Sequence, residues 1–121
     1  MSVVKIFHCM KKVFRIVTEF GRTPSARKDE EGKLSGKALR NILKPLIRQC
    51  VEADVILVVD LDGTAGYGTS FLEEVFGGLI RNEGFSLSDL KQHITFKTEE
   101  DPELEDEIWK YVNDAEDERS K

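Results

Sequence analysis

Val55-Ile56-Leu57-Val58-Val59-Asp60-Leu61-Asp62-Gly63-Thr64 leads through Gly66-Tyr67-Gly68-Thr69-Ser70 into Phe71-Leu72-Glu73-Glu74-Val75-Phe76, and this passage decides how the chain is read. Residues 55–59 are valine, isoleucine and leucine without a polar interruption, the pattern of a central strand covered on both faces. The glycines and polar residues that follow predict a turn. Phe71, Leu72, Val75, Phe76, Leu79 and Ile80 then recur at helical spacing. Ser70, with Glu73 three residues on, reads as a capping box at the start of that helix. Gly77-Gly78 inside it is locally destabilising and predicts a close backbone approach there. Asn82-Glu83-Gly84 ends it.

Towards the N-terminus, residues 3–7 and 13–17 are rich in β-branched and aromatic side chains and predict two strands, paired as a hairpin around His8 and Cys9. Residues 21–32 turn polar and predict a loop carrying Arg22 and Arg27. Ser35 then serves as an N-cap. Ala38, Leu39, Ile42, Leu43, Leu46, Ile47 and Cys50 mark one face of a helix over about 36–51, with a kink or restart expected at Pro45. Towards the C-terminus, residues 86–92 predict a short helix and 94–97 a fourth strand. Asp101-Pro102 opens a last helix along Leu104, Ile108, Tyr111, Val112 and Ala115. Residues 116–121 are expected to fray. The expectation is a single α/β domain over 1–121: a small mixed four-stranded sheet with helices packed mainly on one face.

Composition narrows the function classes. With 40% hydrophobic and 34% charged residues, the 121-residue chain has the make-up of a folded domain rather than a disordered segment. No apolar run approaches a membrane span, and the first residues lack a basic head followed by a long apolar run, so a cytoplasmic location is expected. Cys9 and Cys50 are far apart and lack metal-type spacing, so neither a disulfide framework nor a metal site is expected. Residues 1–50 carry 12 basic and 4 acidic side chains, whereas residues 98–121 carry 3 and 11. That polarity lacks an aromatic stacking motif, so it reads as a solvated surface and not as a nucleic-acid face.

Two resemblances attach to the central passage. Asp60-Leu61-Asp62-Gly63-Thr64 after an apolar strand resembles the first motif of the haloacid dehalogenase superfamily, which implies Asp60 as nucleophile, Asp62 as general acid and base, and magnesium. That machinery needs further groups on separate strand ends. Here Thr95, Lys97 and Glu99-Glu100-Asp101 would have to supply all of them within seven residues, so the phosphohydrolase stands as the alternative.

The second resemblance covers more of the chain. Thr23-Pro24-Ser25-Ala26-Arg27, Leu34-Ser35-Gly36-Lys37-Ala38-Leu39-Arg40 and the run from Val58 to Leu79 resemble the STAS-like domain family of unknown function. The resemblance extends to the STAS domains of anti-sigma-factor antagonists, small sheets packed with helices that act as protein-interaction modules. In the antagonists, a serine at the start of the helix after the central strand is phosphorylated by a serine kinase of histidine-kinase-like ATPase fold. Aligned through the strand end, that serine falls on Ser70, with Thr69 beside it and Gly68 where the antagonists usually carry an acidic residue. The resemblance implies a non-catalytic regulatory module without cofactor or metal. Its phosphorylation and partner contacts would fall on Ser70, Thr69, Asp62, Tyr67, Glu73, Glu74 and Arg27. Such a kinase is the implied protein partner, and a homo-oligomer with a structural role is a third reading. Glu73 and Glu74 are expected to repel a phosphate on Ser70, so that modification would expel a partner by charge.

Overall fold

The computed structural model describes residues 10–24 and 35–121. The elements in chain order are β1 (Lys11–Arg15), the helical turn α1 (Ile16–Glu19), α2 (Gly36–Ala53) and β2 (Ile56–Asp60). Three consecutive helical pieces, Thr69–Leu72, Glu73–Gly77 and Gly78–Arg81, make up α3, and the middle piece is π-helical. The chain ends with α4 (Leu87–His93), β3 (Ile94–Lys97) and α5 (Glu103–Arg119).

Where a four-stranded mixed sheet was expected, the described residues form a three-stranded parallel sheet in the order β1-β2-β3. Phe14 lies opposite Val59, and Val59 opposite Phe96. The expected strand at 3–7, with His8 and Cys9, lies outside the described residues. The strand expected at 13–17 forms at Lys11–Arg15 and runs parallel to β2 rather than serving as a hairpin arm. Ile16 and Val17 turn helical instead, because Ile16 is drawn fully into the core and its carbonyl takes the amides of Phe20 and Gly21. A β-branched run signals extended backbone, but it carries no information about which strand it will pair with.

One face of the sheet builds the core. Phe14, Leu57, Val59 and Ile94 are buried and Phe96 packs against them, whereas Val13 on the other face is 55% exposed and Ile56 and Val58 are half-buried. The apolar run of β2, expected to be covered on both faces, is fully covered on one and half-covered on the other. Helix α3 is the inner helix: Phe71, Leu72 and every residue from 74 to 80 are buried, and it packs against both α2 and α5. A helix enclosed on this many sides is apolar around most of its circumference. Each large apolar side chain withdrawn there contributes roughly 1.5–3 kcal/mol.

Glycines let α2 and α3 approach. A Cβ on Gly36 would lie 2.8 Å from the Phe71 carbonyl oxygen, and one on Gly78 would run into the Arg40 guanidinium. The close backbone approach expected at Gly77-Gly78 is instead a close approach of the Arg40 side chain to Gly78, and the backbone contact falls at Gly36. Ser35 caps α2 as expected, its Oγ accepting from the Ala38 amide at 3.1 Å. No restart occurs at Pro45, and α2 runs unbroken through it. Pro45 and Asn41 are both exposed, so the Asn41 carbonyl that loses its helical donor can be hydrated.

In α5, Ile108, Val112 and Ala115 are buried, with Leu104, Trp109 and Tyr111 packed at the margin. The segment 116–121, expected to fray, is helical through Arg119. The Arg119 guanidinium donates to the Phe85 carbonyl at 2.9 Å and also pairs with Glu116, which ties the acidic end to the body. No helix among the described residues is long and apolar enough to cross a membrane.

Candidate functional site

Open parallel sheets place ligand-accessible loops beyond the carboxyl ends of their strands. There Arg15, Asp60 and Lys97, one from each strand, stand in register across the sheet. Asp60 is 2% exposed. Its Oδ1 accepts from the Asp62 amide at 3.0 Å, and its Oδ2 faces Arg15 Nε at 3.2 Å and Lys97 Nζ at 3.7 Å. The Lys97 ammonium is pushed above its ordinary value, first by its bond to Glu99 and then by Asp60.

Asp62 reaches across to the loop after β3, where its two oxygens accept from the amides of Glu99 at 3.1 Å and Glu100 at 3.0 Å. Glu100 returns the contact, its Oε1 accepting from the Gly63 amide at 2.7 Å. Gly63 has φ of 91°, a left-handed conformation that suits glycine and turns its amide towards that carboxylate. Two carboxylates therefore clasp the loops that follow β2 and β3. Both aspartates shape backbone, in keeping with the turn-forming role common for this residue.

Between the clasped loops and the first turn of α5 lies a pocket of about 210 Å³, walled by Leu61, Tyr67 and Leu104 and rimmed by Asp62, Glu100 and Asp101. The Tyr67 hydroxyl donates to the Leu61 carbonyl at 2.8 Å. Burial pushes this phenol up to about 12; a bond with Thr64 opposes the rise, and the charges of Asp60, Asp62 and Glu100 add to it. The Tyr67 ring also meets Phe71 at 6.0 Å between centroids, which couples the loop to α3.

Thr69 and Ser70 are exposed in the first turn of α3. Gly68 is the N-cap residue, with no side-chain cap bond, so the expected capping box does not form. Glu73 turns instead towards Arg81, with 2.7 Å between its Oε2 and Nη1. Glu74 is 7% exposed, and both its carbonyl and its carboxylate accept from Arg40. Arg27 lies outside the described residues. The structure thus joins Asp62 and Tyr67 at one pocket, carries Ser70 and Thr69 on the helix that leaves it, and commits Glu73 and Glu74 to partners within the fold.

The sequence placed Glu100 and Asp101 only in the phosphohydrolase alternative and Leu104 only on the stripe of the last helix, not at a pocket with Asp62 and Tyr67. The Asp101-Pro102 signal marked a helix start, and spacing in the chain does not show that this start meets the turn after β2. The same holds for Arg40, which pairs with both Glu74 and Glu83. Among the described residues, no three His, Cys, Asp or Glu side chains are grouped to hold a metal ion.

A family described as the STAS-like domain of unknown function matches residues 35–104. The chain belongs to this family. The match in this STAS-like domain runs from the cap of α2 to Leu104, so it contains β2, α3 and both clasped loops, while β1 and most of α5 fall outside it. Comparison with curated proteins and with solved structures gave no match.

Proposed function

We propose that this STAS-like domain is a non-catalytic regulatory module that binds a protein partner in the cytoplasm through the surface around residues 61–70, and that phosphorylation of Ser70 switches the contact. The observation that carries the reading is the exposed first turn of α3, where Thr69 and Ser70 stand free of any capping bond just after Tyr67 of the pocket lining. A hydroxyl held in the fold by a cap would resist modification. A phosphate at Ser70 would meet the free amides and positive end of α3.

The geometry shifts the source of repulsion. Glu73 and Glu74 carry cationic partners, Arg81 and Arg40, so the acids left to oppose a phosphate are those of the pocket rim. Phosphorylation adds nearly two negative charges to an acidic surface and weakens a partner that had matched it. The partner class is the serine kinase of histidine-kinase-like ATPase fold.

The test is incubation with a panel of such kinases and ATP, followed by intact mass and peptide mapping, with binding measured for Ser70→Ala and Ser70→Glu. One phosphoryl group on Ser70 and affinity lowered about tenfold or more by Ser70→Glu are expected. Equal affinity in both variants would remove the switch.

The phosphohydrolase alternative keeps one favourable observation, Asp60 at the end of the central parallel strand. It requires magnesium-dependent hydrolysis of a generic phosphate ester that Asp60→Asn abolishes. The engagement of both Asp60 oxygens and the near-complete burial of that side chain favour the binding module.

A further inference from the structure

The pocket lined by Asp62, Glu100 and Asp101 handles charge differently from the buried part of the molecule. Elsewhere the inward-facing carboxylates carry cations: Asp60 has Arg15 and Lys97, Glu74 has Arg40, and Glu83 has Arg40 and Lys44. At the pocket rim, no lysine or arginine among the described residues lies within ion-pair distance of any of the three acids. The pocket is too small for a nucleotide or a drug-sized ligand, which need about 300–1,000 Å³, and its 210 Å³ suits one long side chain.

Its apolar lining comes from Leu61, Leu104 and the ring of Tyr67, which is held in place by the bond to the Leu61 carbonyl, and Thr64 adds polar surface beside them. Apolar walls under an acidic rim match a side chain with an aliphatic stem and a cationic head. A bare metal ion fits poorly, because Asp62 spends both oxygens on backbone amides and Glu100 spends one, leaving no converging set of ligands.

We propose that this pocket receives an arginine side chain from the protein partner. The planar guanidinium is weakly hydrated, can stack on the Tyr67 ring, and presents donors in several directions to carboxylates spread around a rim; a lysine ammonium is compact and strongly hydrated. The idea rests on the reading of residues 61–70 as the contact surface, and it specifies what that surface recognises. The arginine gives the contact its register, and a phosphate on nearby Ser70 would compete with the rim for the same cation.

The experiment is an NMR titration of the intact chain with a blocked Gly-Arg-Gly peptide, alongside its lysine and citrulline counterparts and magnesium chloride. Expected are amide shifts confined to residues 61–67 and 99–104 with the arginine peptide, weaker ones with lysine and none with citrulline. Asp101→Asn should weaken binding roughly threefold, and its combination with Glu100→Gln roughly tenfold. Asp101 is exposed and its side chain makes no hydrogen bond to another described residue, so Asp101→Asn leaves folding intact if the Glu100 variant does not. Shifts spread along all of α5, equal response to citrulline, or a response to magnesium alone would each overturn the arginine pocket. The titration involves neither kinase nor Ser70 substitution. A failed pocket with an intact Ser70 effect on partner affinity therefore sinks only this inference, and the reverse outcome sinks only the switch.

Discussion

The seam between α2 and α3 and the loop pocket beyond β2 are both rich in charge, and they treat it in opposite ways. In the seam, Arg40 is 5% exposed and bonds to Glu74 and to Glu83, which in turn takes Lys44 at 2.8 Å. In the pocket, Asp62, Glu100 and Asp101 line one cavity without an ion pair to a described lysine or arginine, and Lys97 acts on Asp62 only across a longer distance. Charges in the seam are consumed by folding. At the pocket, Asp62 and Glu100 are held in place by backbone amides, and none of its three acids has an ion pair with a described residue, which is why the pocket, not the seam, is the surface to which a partner is assigned.

The sharpest way to break this comparison is to remove one charge from each region. Arg40→Ala leaves Glu74 buried without its main partner and removes a donor from the Glu74 carbonyl, so a loss of about 3–5 kcal/mol in urea unfolding is expected. Asp101→Asn, at an exposed rim position, should change stability by less than about 0.5 kcal/mol. Comparable losses from the two variants would erase the distinction between folding charge and binding charge.

A smaller effect tests the packing that the seam depends on. Helix propensity alone says Gly78→Ala should stabilise α3 by about 1 kcal/mol. The added methyl would collide with the Arg40 guanidinium and lie 2.9 Å from its Cδ, so overpacking of about 1–3 kcal/mol wins and the variant should be less stable. A gain in stability would mean that Arg40 moves aside at little cost, and that the seam is looser than its distances suggest.

Much of this was legible in the sequence, and the gaps have physical causes. The Ser35 cap, the buried part of the α2 stripe at Leu39, Leu43, Ile47 and Cys50, with Ile42 from the expected stripe exposed, and the inner strand at 56–60 were encoded locally, in caps and periodicities that act over a few residues. Strand pairing was not, because β1 finds β2 across forty residues of intervening chain and the side-chain pattern of a short strand is the same in either direction. The capping box failed for a related reason. Ser70 and Glu73 have the right spacing, but the π-helical segment and Arg81 offer Glu73 a stronger, ionic partner eight residues on. At the site, Asp62 and Tyr67 were within reach of sequence reasoning as parts of one glycine-rich turn. Glu100 and Asp101 were not, since they meet that turn only after a second strand has been laid beside the first.

The gentlest probe of the comparison is pH. Glu83 is held below its ordinary carboxylate value of 4.5, first by its bond to Lys44, with Arg40 adding to this and burial opposing it. A carboxylate whose folded value lies below its unfolded one contributes stability that is complete above the unfolded value and disappears as pH falls through the folded value. Urea midpoints should therefore drop as pH is lowered beneath about 4.5, and Glu83→Gln should flatten that slope while costing about 1 kcal/mol at neutral pH. Asp101→Asn is the matching variant at the pocket, where no ion pair joins Asp101 to another described residue. If removing the rim charge flattened the acid transition as much as removing Glu83, the pocket acids would have to be paired within the fold, and their role as a receptor for an external cation would be lost.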